Sequence, residues 1–352
     1  MEKRFVRFSD IPQYRNVIRN VIRQSQFVGM DEDGEPILNP NAEKPTITFN
    51  GTVKLHGTCS SFCLSYNNDI WYQSRNRIVT VEHDNHGFAH FCESRKKTVL
   101  RLLNQVADTH KDTKNIGIIS IFGEFCGRGI QNGVAVAQLP PMFIIFAVKL
   151  TPSDVDKPAY YINSSGLNSP DDKIYNINDF ETFSVDVDFN HPELAQAEFV
   201  KIVNAIEENC PVGVSLGAKD NTVGEGVVWV GWYDNVRHVM KTKGAKHSIS
   251  RVKVVAEVDV AKVNSIMEFV EYAVTENRME QGIEEVFTST GEEIVINKMG
   301  DFLRWVVKDI AKEEMDVLLK NELTLKDVGR SISNKARPWF QALLNKNAGL
   351  IY

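Results

Sequence analysis

Lys54 is followed along the chain by two separate carboxylates and a lysine pair, a set able to carry out nucleotidyl transfer. It sits in Thr52-Val-Lys-Leu-His-Gly-Thr58, and downstream come Phe122-Gly-Glu124-Phe, Glu225-Gly-Val-Val-Trp229 and Lys241-Thr-Lys243. A lysine attacking a nucleotide's α-phosphorus must first lose its proton, and its ordinary pKa of ~10.4 leaves few neutral amines at pH 7. Desolvation and neighbouring cations lower that value, and Lys241 and Lys243 are expected to supply the charge. Period-2 alternation would turn both lysines to one face of a strand, where they can also hold phosphate oxygens. Glu124 and Glu225 are expected at sheet edges, as carboxylates for Mg²⁺, which favours carboxylates together with phosphate oxygens. Each residue alone has a plainer reading as a surface side chain. Lys-x-x-Gly begins at Lys54, Lys114, Lys241, Lys326 and Lys346. Only the first of these is followed by the rest of the set.

The elements that must position these groups are legible as periodicities. Residues 45–75 alternate as strands, with a hairpin turn at Asn67-Asn68-Asp69. Val99, Leu102, Leu103 and Val106 mark one face of a helix. Ile118–Phe122 and Met142–Leu150 are apolar runs suited to buried strands, separated by a Gly-rich loop and the Pro140-Pro141 break. Residues 151–190, rich in Asp, Asn, Ser and Pro, read as a surface excursion. Leu194, Ala197, Val200, Val203 and Ile206 suggest a second amphipathic helix, and Val227–Trp232 and Val236–Met240 a strand pair around Tyr233-Asp-Asn235. Beyond about residue 250 helical periodicity replaces alternation, in stripes such as Phe302, Leu303, Val306 and Ile310. This pattern predicts an α+β fold of antiparallel sheets flanked by helices over 1–249, and a small all-helical domain over 250–352.

Composition bounds the rest. The 352 residues suffice for two domains, and 43% hydrophobic with 24% charged residues is ordinary for a globular protein. A net charge of −6 argues against bulk affinity for nucleic acid but leaves room for a local basic groove. The last 33 residues carry an excess of Lys and Arg, which suits either a nucleic-acid contact or a solvated helix face. Five cysteines without a Cys-x-x-Cys pair suggest neither a disulfide framework nor a zinc ribbon. His83, His86 and His90 with Cys92 have no standard zinc spacing. The N-terminus lacks the apolar run of a signal peptide and no stretch reaches membrane-spanning length, so a cytoplasmic location is expected; the sequence is silent on oligomeric state, for which a monomer is the default.

Lys54-Leu-His-Gly-Thr58 resembles the nucleotidyl-transfer motif of the RNA ligase 2 family, which includes the nick-sealing RNA ligase of T-even phages and the trypanosome editing ligases. Ser74-Arg75-Asn-Arg77, Phe122-Gly-Glu124-Phe-Cys-Gly-Arg-Gly-Ile-Gln131, Phe143-Ile-Ile-Phe146, Glu225-Gly-Val-Val-Trp229 and Met240-Lys241-Thr-Lys243 continue the resemblance. Thr275-Glu-Asn-Arg278 and Phe302–Ile310 are similar to the helical C-terminal domain of the phage-type members. The resemblance implies the nucleotidyltransferase fold and an ATP-dependent ligase that joins RNA 3′-OH and 5′-phosphate ends through lysyl-AMP and RNA-adenylate, in repair of nicked duplex. It also implies Lys54 as nucleophile and Arg75, Lys241 and Lys243 as phosphate ligands. Glu124 would contact the ribose, Phe146 would stack on adenine, His56 and Gly57 would order the nucleotide, and Glu225, with Glu124, would hold Mg²⁺ or Mn²⁺. Cys59 stands where the family has asparagine, Arg77 competes with Arg75 for one role, and the first 50 residues exceed the common pattern. Two rival readings remain: a related capping guanylyltransferase or DNA ligase, and a catalytically silent nucleic-acid-binding module.

Overall fold

The computed structural model describes residues 3–110, 115–244, 266–321 and 323–347. In chain order, helix α1 (Tyr14–Gln26) precedes strands β1 (Phe27–Met30), β2 (Pro36–Leu38), β3 (Thr46–Lys54), β4 (Thr58–Ser65), β5 (Ile70–Ser74) and β6 (Ile78–Val79). Helices α2 (Phe88–Glu93) and α3 (Lys96–Thr109) lead to β7 (Ile116–Cys126), β8 (Met142–Pro152), β9 (Tyr160–Ile162), β10 (Ile174–Asn176) and β11 (Thr182–Asp188). Helices α4 (Gln196–Glu208) and α5 (Pro211–Ser215) precede β12 (Gly226–Tyr233) and β13 (Val236–Lys243). The rest is helical: α6 (Ile266–Ala273), α7 (Glu276–Ile283), α8 (Met299–Glu313), α9 (Met315–Lys320) and α10 (Leu325–Asn347). The predicted α+β class with a helical C-terminal region is therefore what the chain adopts.

Two compact units divide the chain: 1–11, 50–184 and 204–229 form the first, and 12–49, 185–203 and 230–352 the second. The sequence-based boundary at 249/250 falls among residues 245–265, outside the described residues.

The first unit is built on a sheet ordered β10-β8-β7-β4-β5-β6, with β9 also paired to β8. Its pairs are antiparallel except β10 with β8, which is parallel. One face packs against α2 and α3. Phe62 and Leu64 of β4, Ile119, Ile121 and Phe125 of β7, and Phe143 and Ile145 of β8 join the predicted helical stripe Val99, Leu102, Leu103 and Val106, all buried. The opposite face carries a second cluster of Cys63, Trp71, Ile118, Phe122 and Ala147 with Val6. Alternation assigns Glu124 to that second face, because it shares parity with Ile118 and Phe122.

A bulge breaks the alternation of β8. Gly123 pairs with Ile145 and Phe122 with Ala147, so Phe146 is the extra residue. Before it Phe143 and Ile145 point into the α3 core, and after it Val148 and Leu150 do. Phe146 and Ala147 consequently both pack on the second face. Gly123 is required opposite, since a Cβ there would lie 2.5 Å from the Phe143 ring and 2.6 Å from the Ile144 carbonyl oxygen.

Two expectations need correction. Residues 151–190 are not a bare surface excursion: they supply β9, β10 and β11 and bury Leu167, Ile174, Asn176, Ile177, Val185, Val187 and Phe189. Their polar residues make loop structure instead, as where Asn176 Nδ2 donates to Leu167 O at 3.2 Å. The helix expected from Leu194 begins at Gln196; Leu194 is 74% exposed, and the buried stripe is Phe199, Val203 and Ile206.

Within the second unit, α1 lies against β13, and the two-residue turn Asp234-Asn235 joins β12 to β13 as the sequence suggested. Both turn residues have positive φ (46° and 59°), the conformation a tight hairpin needs. The helical segment has its own core, including Phe269, Met279, Phe287, Phe302, Val306, Ile310, Val328, Ile332 and Phe340. A second sheet orders β11-β3-β12-β13, and β3, β11 and β12 are the strands along which the chain passes from one unit to the other.

Candidate active site

Lys54 is the last residue of β3, and Glu225 immediately precedes β12, its neighbour in the sheet. The Lys54 Nζ donates to Glu225 Oε2 at 2.7 Å, and the Glu225 side chain is only 2% exposed. His56 Nδ1 lies 3.6 Å from the same carboxylate oxygen. The backbone N–H of Gly57 donates to Glu124 Oε1 at 3.0 Å. Gly57 must be glycine because the β3–β4 turn presses on the end of β7: a Cβ would come within 2.4 Å of the Phe125 carbonyl oxygen. The structure thus brings Lys54, His56, Gly57, Glu124 and Glu225 together, although Lys54 and Glu225 are 171 positions apart along the chain.

The electrostatics of the amine differ from the sequence-based expectation. Burial pulls the Lys54 pKa down, but Glu225 and then Glu124 push it up more strongly, and the net direction is upward. Arg75 is a cation that opposes them. Glu124 is displaced as well: burial, opposed by Lys54 and reinforced by Glu225, raises its carboxyl to about 7. Glu124 also lies inside β7, between β8 and β4, and so is not at a sheet edge.

Arg75 and Arg77 separate by their partners. Arg77 donates to the carbonyl oxygens of His83 (2.8 Å) and Asp84 (2.7 Å), pinning the loop before α2. Asp84 orders the same loop, accepting from the backbone N–H groups of Ala89 and His90 and pairing with the His90 ring at 2.9 Å. That accounts for part of the histidine-rich stretch without a metal; among the described residues no three His, Cys, Asp or Glu side chains are grouped as a metal cage. Arg75 instead pairs with Asp10 at 3.2 Å and acts electrostatically on Lys54.

Phe146, half-buried, meets Phe8 edge-on with ring centroids 5.1 Å apart; Phe8 also packs on Phe122 and Tyr161. Cys59 is directly opposite Glu124 across β4 and β7, so the position where the family has asparagine adjoins this carboxylate. Sequence reasoning missed Phe8 and Asp10. Asp10 pairs locally with Arg7 at 3.3 Å, but the partners that bring these two residues to the site, Phe146 for Phe8 and Arg75 for Asp10, lie more than 60 residues away along the chain.

Lys241 and Lys243 lie on β13 of the second unit. They alternate with the buried His238, Met240 and Thr242, and therefore share one face as the period-2 reading required. Lys241 Nζ is 3.7 Å from Glu313 Oε1 in the same unit.

As for a divalent metal, Glu124 within β7 and Glu225 just before β12 present two hard carboxylate oxygens in the first unit that could serve as donors. One or two carboxylates completed by substrate phosphates suit Mg²⁺ or Mn²⁺ and would neutralise phosphate charge.

Residues 47–243 match the family described as RNA ligase, more than half of the chain. The chain belongs to the RNA ligase family. Among solved structures, it is similar to a Naegleria gruberi RNA ligase with PPi, at 14% identity and a TM-score of 0.41 over 68% of this chain and 56% of that one. A variant of the same ligase with ATP and Mn matches at 16% identity and 0.41, over 67% and 55%, and a variant with AMP and Mn at 14% and 0.38, over 66% and 55%. This ligase-family chain thus spans just over half the length of those proteins. No curated protein sequence matches it. No helix among the described residues is long and apolar enough to cross a membrane.

Proposed function

We propose that this chain is an ATP-dependent RNA ligase that joins an RNA 3′-OH to a 5′-phosphate, acting as a monomer on nicked duplex in RNA repair. The observation that carries the reading is the Lys54–Glu225 pair, with Glu124 held beside it by Gly57, in a member of the RNA ligase family. In the first step the Lys54 amine, its proton directed toward Glu225, forms a bond to the ATP α-phosphorus as the bond to pyrophosphate breaks. Lysyl-AMP results. The AMP then passes to the RNA 5′-phosphate, freeing the lysine. Finally the 3′-OH attacks the activated phosphate, the phosphodiester forms and AMP leaves.

Family resemblance gives Phe146 the adenine, Glu124 the ribose, His56 and Gly57 the ordering of the nucleotide, and Arg75, Lys241 and Lys243 the phosphates. Mg²⁺ or Mn²⁺ held by Glu225 and Glu124 would supply Lewis acidity at the phosphoryl oxygens. The protein's share is positioning and charge neutralisation.

The test is covalent labelling of the purified chain with α-³²P-ATP or α-³²P-GTP and Mg²⁺, beside Lys54→Ala. Label from ATP that disappears in the variant is expected, followed by sealing of nicked duplex RNA. Label from GTP would replace this reading with capping, and no label from either would leave a nucleic-acid-binding module.

A further inference from the structure

Lys241, given a phosphate-binding role, is held by the helical segment of its own unit. Its backbone N–H donates to the Pro12 carbonyl at 3.1 Å, and Gln13 forms a parallel bridge with it. Its ammonium lies 3.7 Å from Glu313 Oε1 at the end of α8. The Glu313 side chain is only 5% exposed, and its Oε2 has no hydrogen-bond partner among the described residues. Asp309, about one turn earlier on α8, interacts electrostatically with both Lys241 and Glu313. Arg15 of α1 completes the enclosure, donating to the Glu313 carbonyl and to the Glu314 carboxylate at 2.6 Å.

We propose that Glu313 is a positioning residue for Lys241: its carboxylate is the lysine's resting counter-ion, and the triphosphate of the incoming nucleotide must displace it. The inference rests on the reading of Lys241 as a phosphate ligand. Its physical basis is the charge left behind. When Lys241 turns to phosphate, Glu313 loses one of the cations that offset its burial, keeping the electrostatic support of Arg278 together with Asp309 as a like-charged neighbour. Nucleotide binding bears that cost, so the wild-type KM for ATP exceeds what the contacts to ATP alone would give.

The experiment measures self-adenylylation of the full chain against ATP concentration for wild type, Glu313→Gln, Lys241→Ala and the double variant, with a melting curve for each. Glu313→Gln is expected to lower KM for ATP roughly fivefold with kcat changed less than about twofold. In the Lys241→Ala background the same change should leave KM where it was, because the effect runs through the lysine. A purely structural role for Glu313 would change both backgrounds alike and overturn the proposal. An unchanged or raised KM in folded Glu313→Gln would do the same. If Glu313→Gln melts below the assay temperature, Glu313→Asp, which withdraws the carboxylate by one methylene, is read instead and should lower KM by a smaller factor. If Lys241→Ala adenylylates with the wild-type KM, Lys241 is no phosphate ligand, and the underlying reading fails whatever Glu313→Gln does.

Discussion

Lys54 Nζ and Glu225 Oε2 meet at 2.7 Å, the carboxylate almost wholly buried and His56 beside the same oxygen. The candidate nucleophile therefore rests as a paired ammonium. Charge that enters the site with the nucleotide has to be compensated before the amine can attack.

That pairing sets a pH dependence. Glu225 and Glu124 hold the Lys54 pKa above its ordinary value, so the pair's stabilising effect is complete below about 10.5 and is lost as pH rises through the raised value. The single-turnover rate of adenylylation should accordingly climb through the neutral and alkaline range. In Glu225→Gln the plateau should fall, since a proposed metal ligand is gone, yet the rising limb should move to lower pH. A limb that stays put or moves upward would show that Glu225 does not control the amine.

Glu124 gives the opposite sign for stability. Its carboxyl titrates near 7 in the folded chain against about 4.5 in the unfolded one, mainly because it is buried. The folded state thus binds the proton more tightly, and stability declines from about pH 4.5 to about 7, by a few kcal/mol at most. Glu124→Gln removes this penalty. Its melting temperature should exceed wild type at pH 8, and the gap should shrink as pH falls toward 5. A constant gap across that range would contradict the assignment.

Arg75 and Arg77 should part company when each is replaced by alanine. Arg77 satisfies two loop carbonyls, so Arg77→Ala should lower stability by about 1–2 kcal/mol in chemical denaturation. Arg75 is partly exposed and paired with Asp10, so its loss should hardly change the denaturation midpoint. Because Arg75 lowers the Lys54 pKa, however, Arg75→Ala should shift the adenylylation profile to higher pH. A comparable destabilisation by both changes would erase the distinction.

What the sequence disclosed and what it hid follow from range. The α3 stripe, the β4–β5 hairpin and the alternation that puts Lys241 and Lys243 on one face are local periodicities, and each appears in the structure. The order of the motifs singled out Lys54, Glu124 and Glu225, which the first unit does assemble. The sign of the Lys54 shift was hidden, because it depends on which charges fold nearest, and those are carboxylates. Asp10 beside Arg75 and Phe8 against Phe146 were hidden for the same reason. The bulge at Phe146 was invisible too: Phe143-Ile-Ile-Phe146-Ala-Val148 is apolar throughout and carries no alternation to break.

Arg278 offers the severest test of the helical segment. Its side chain is fully buried; Nε donates to Asp309 at 2.9 Å, a guanidinium nitrogen donates to the equally buried Glu314 at 2.9 Å, and another donates to the Ala273 carbonyl. Burial alone would lower the Arg278 pKa, but Glu314 and Asp309 outweigh it and the direction is upward. Arg278→Met fills much of the same volume yet leaves two buried carboxylates with less positive charge between them. A loss of about 3–5 kcal/mol is expected, read as a lower denaturant midpoint. The loss should shrink as acid protonates the carboxylates left without the guanidinium. Arg278→Met combined with Glu314→Gln should recover part of it, though not all, since Glu314 also pairs with Arg15 at 2.6 Å and accepts from the Tyr272 hydroxyl at 2.9 Å. If the single variant melts like wild type at neutral pH, the buried network contributes shape to this segment without contributing stability.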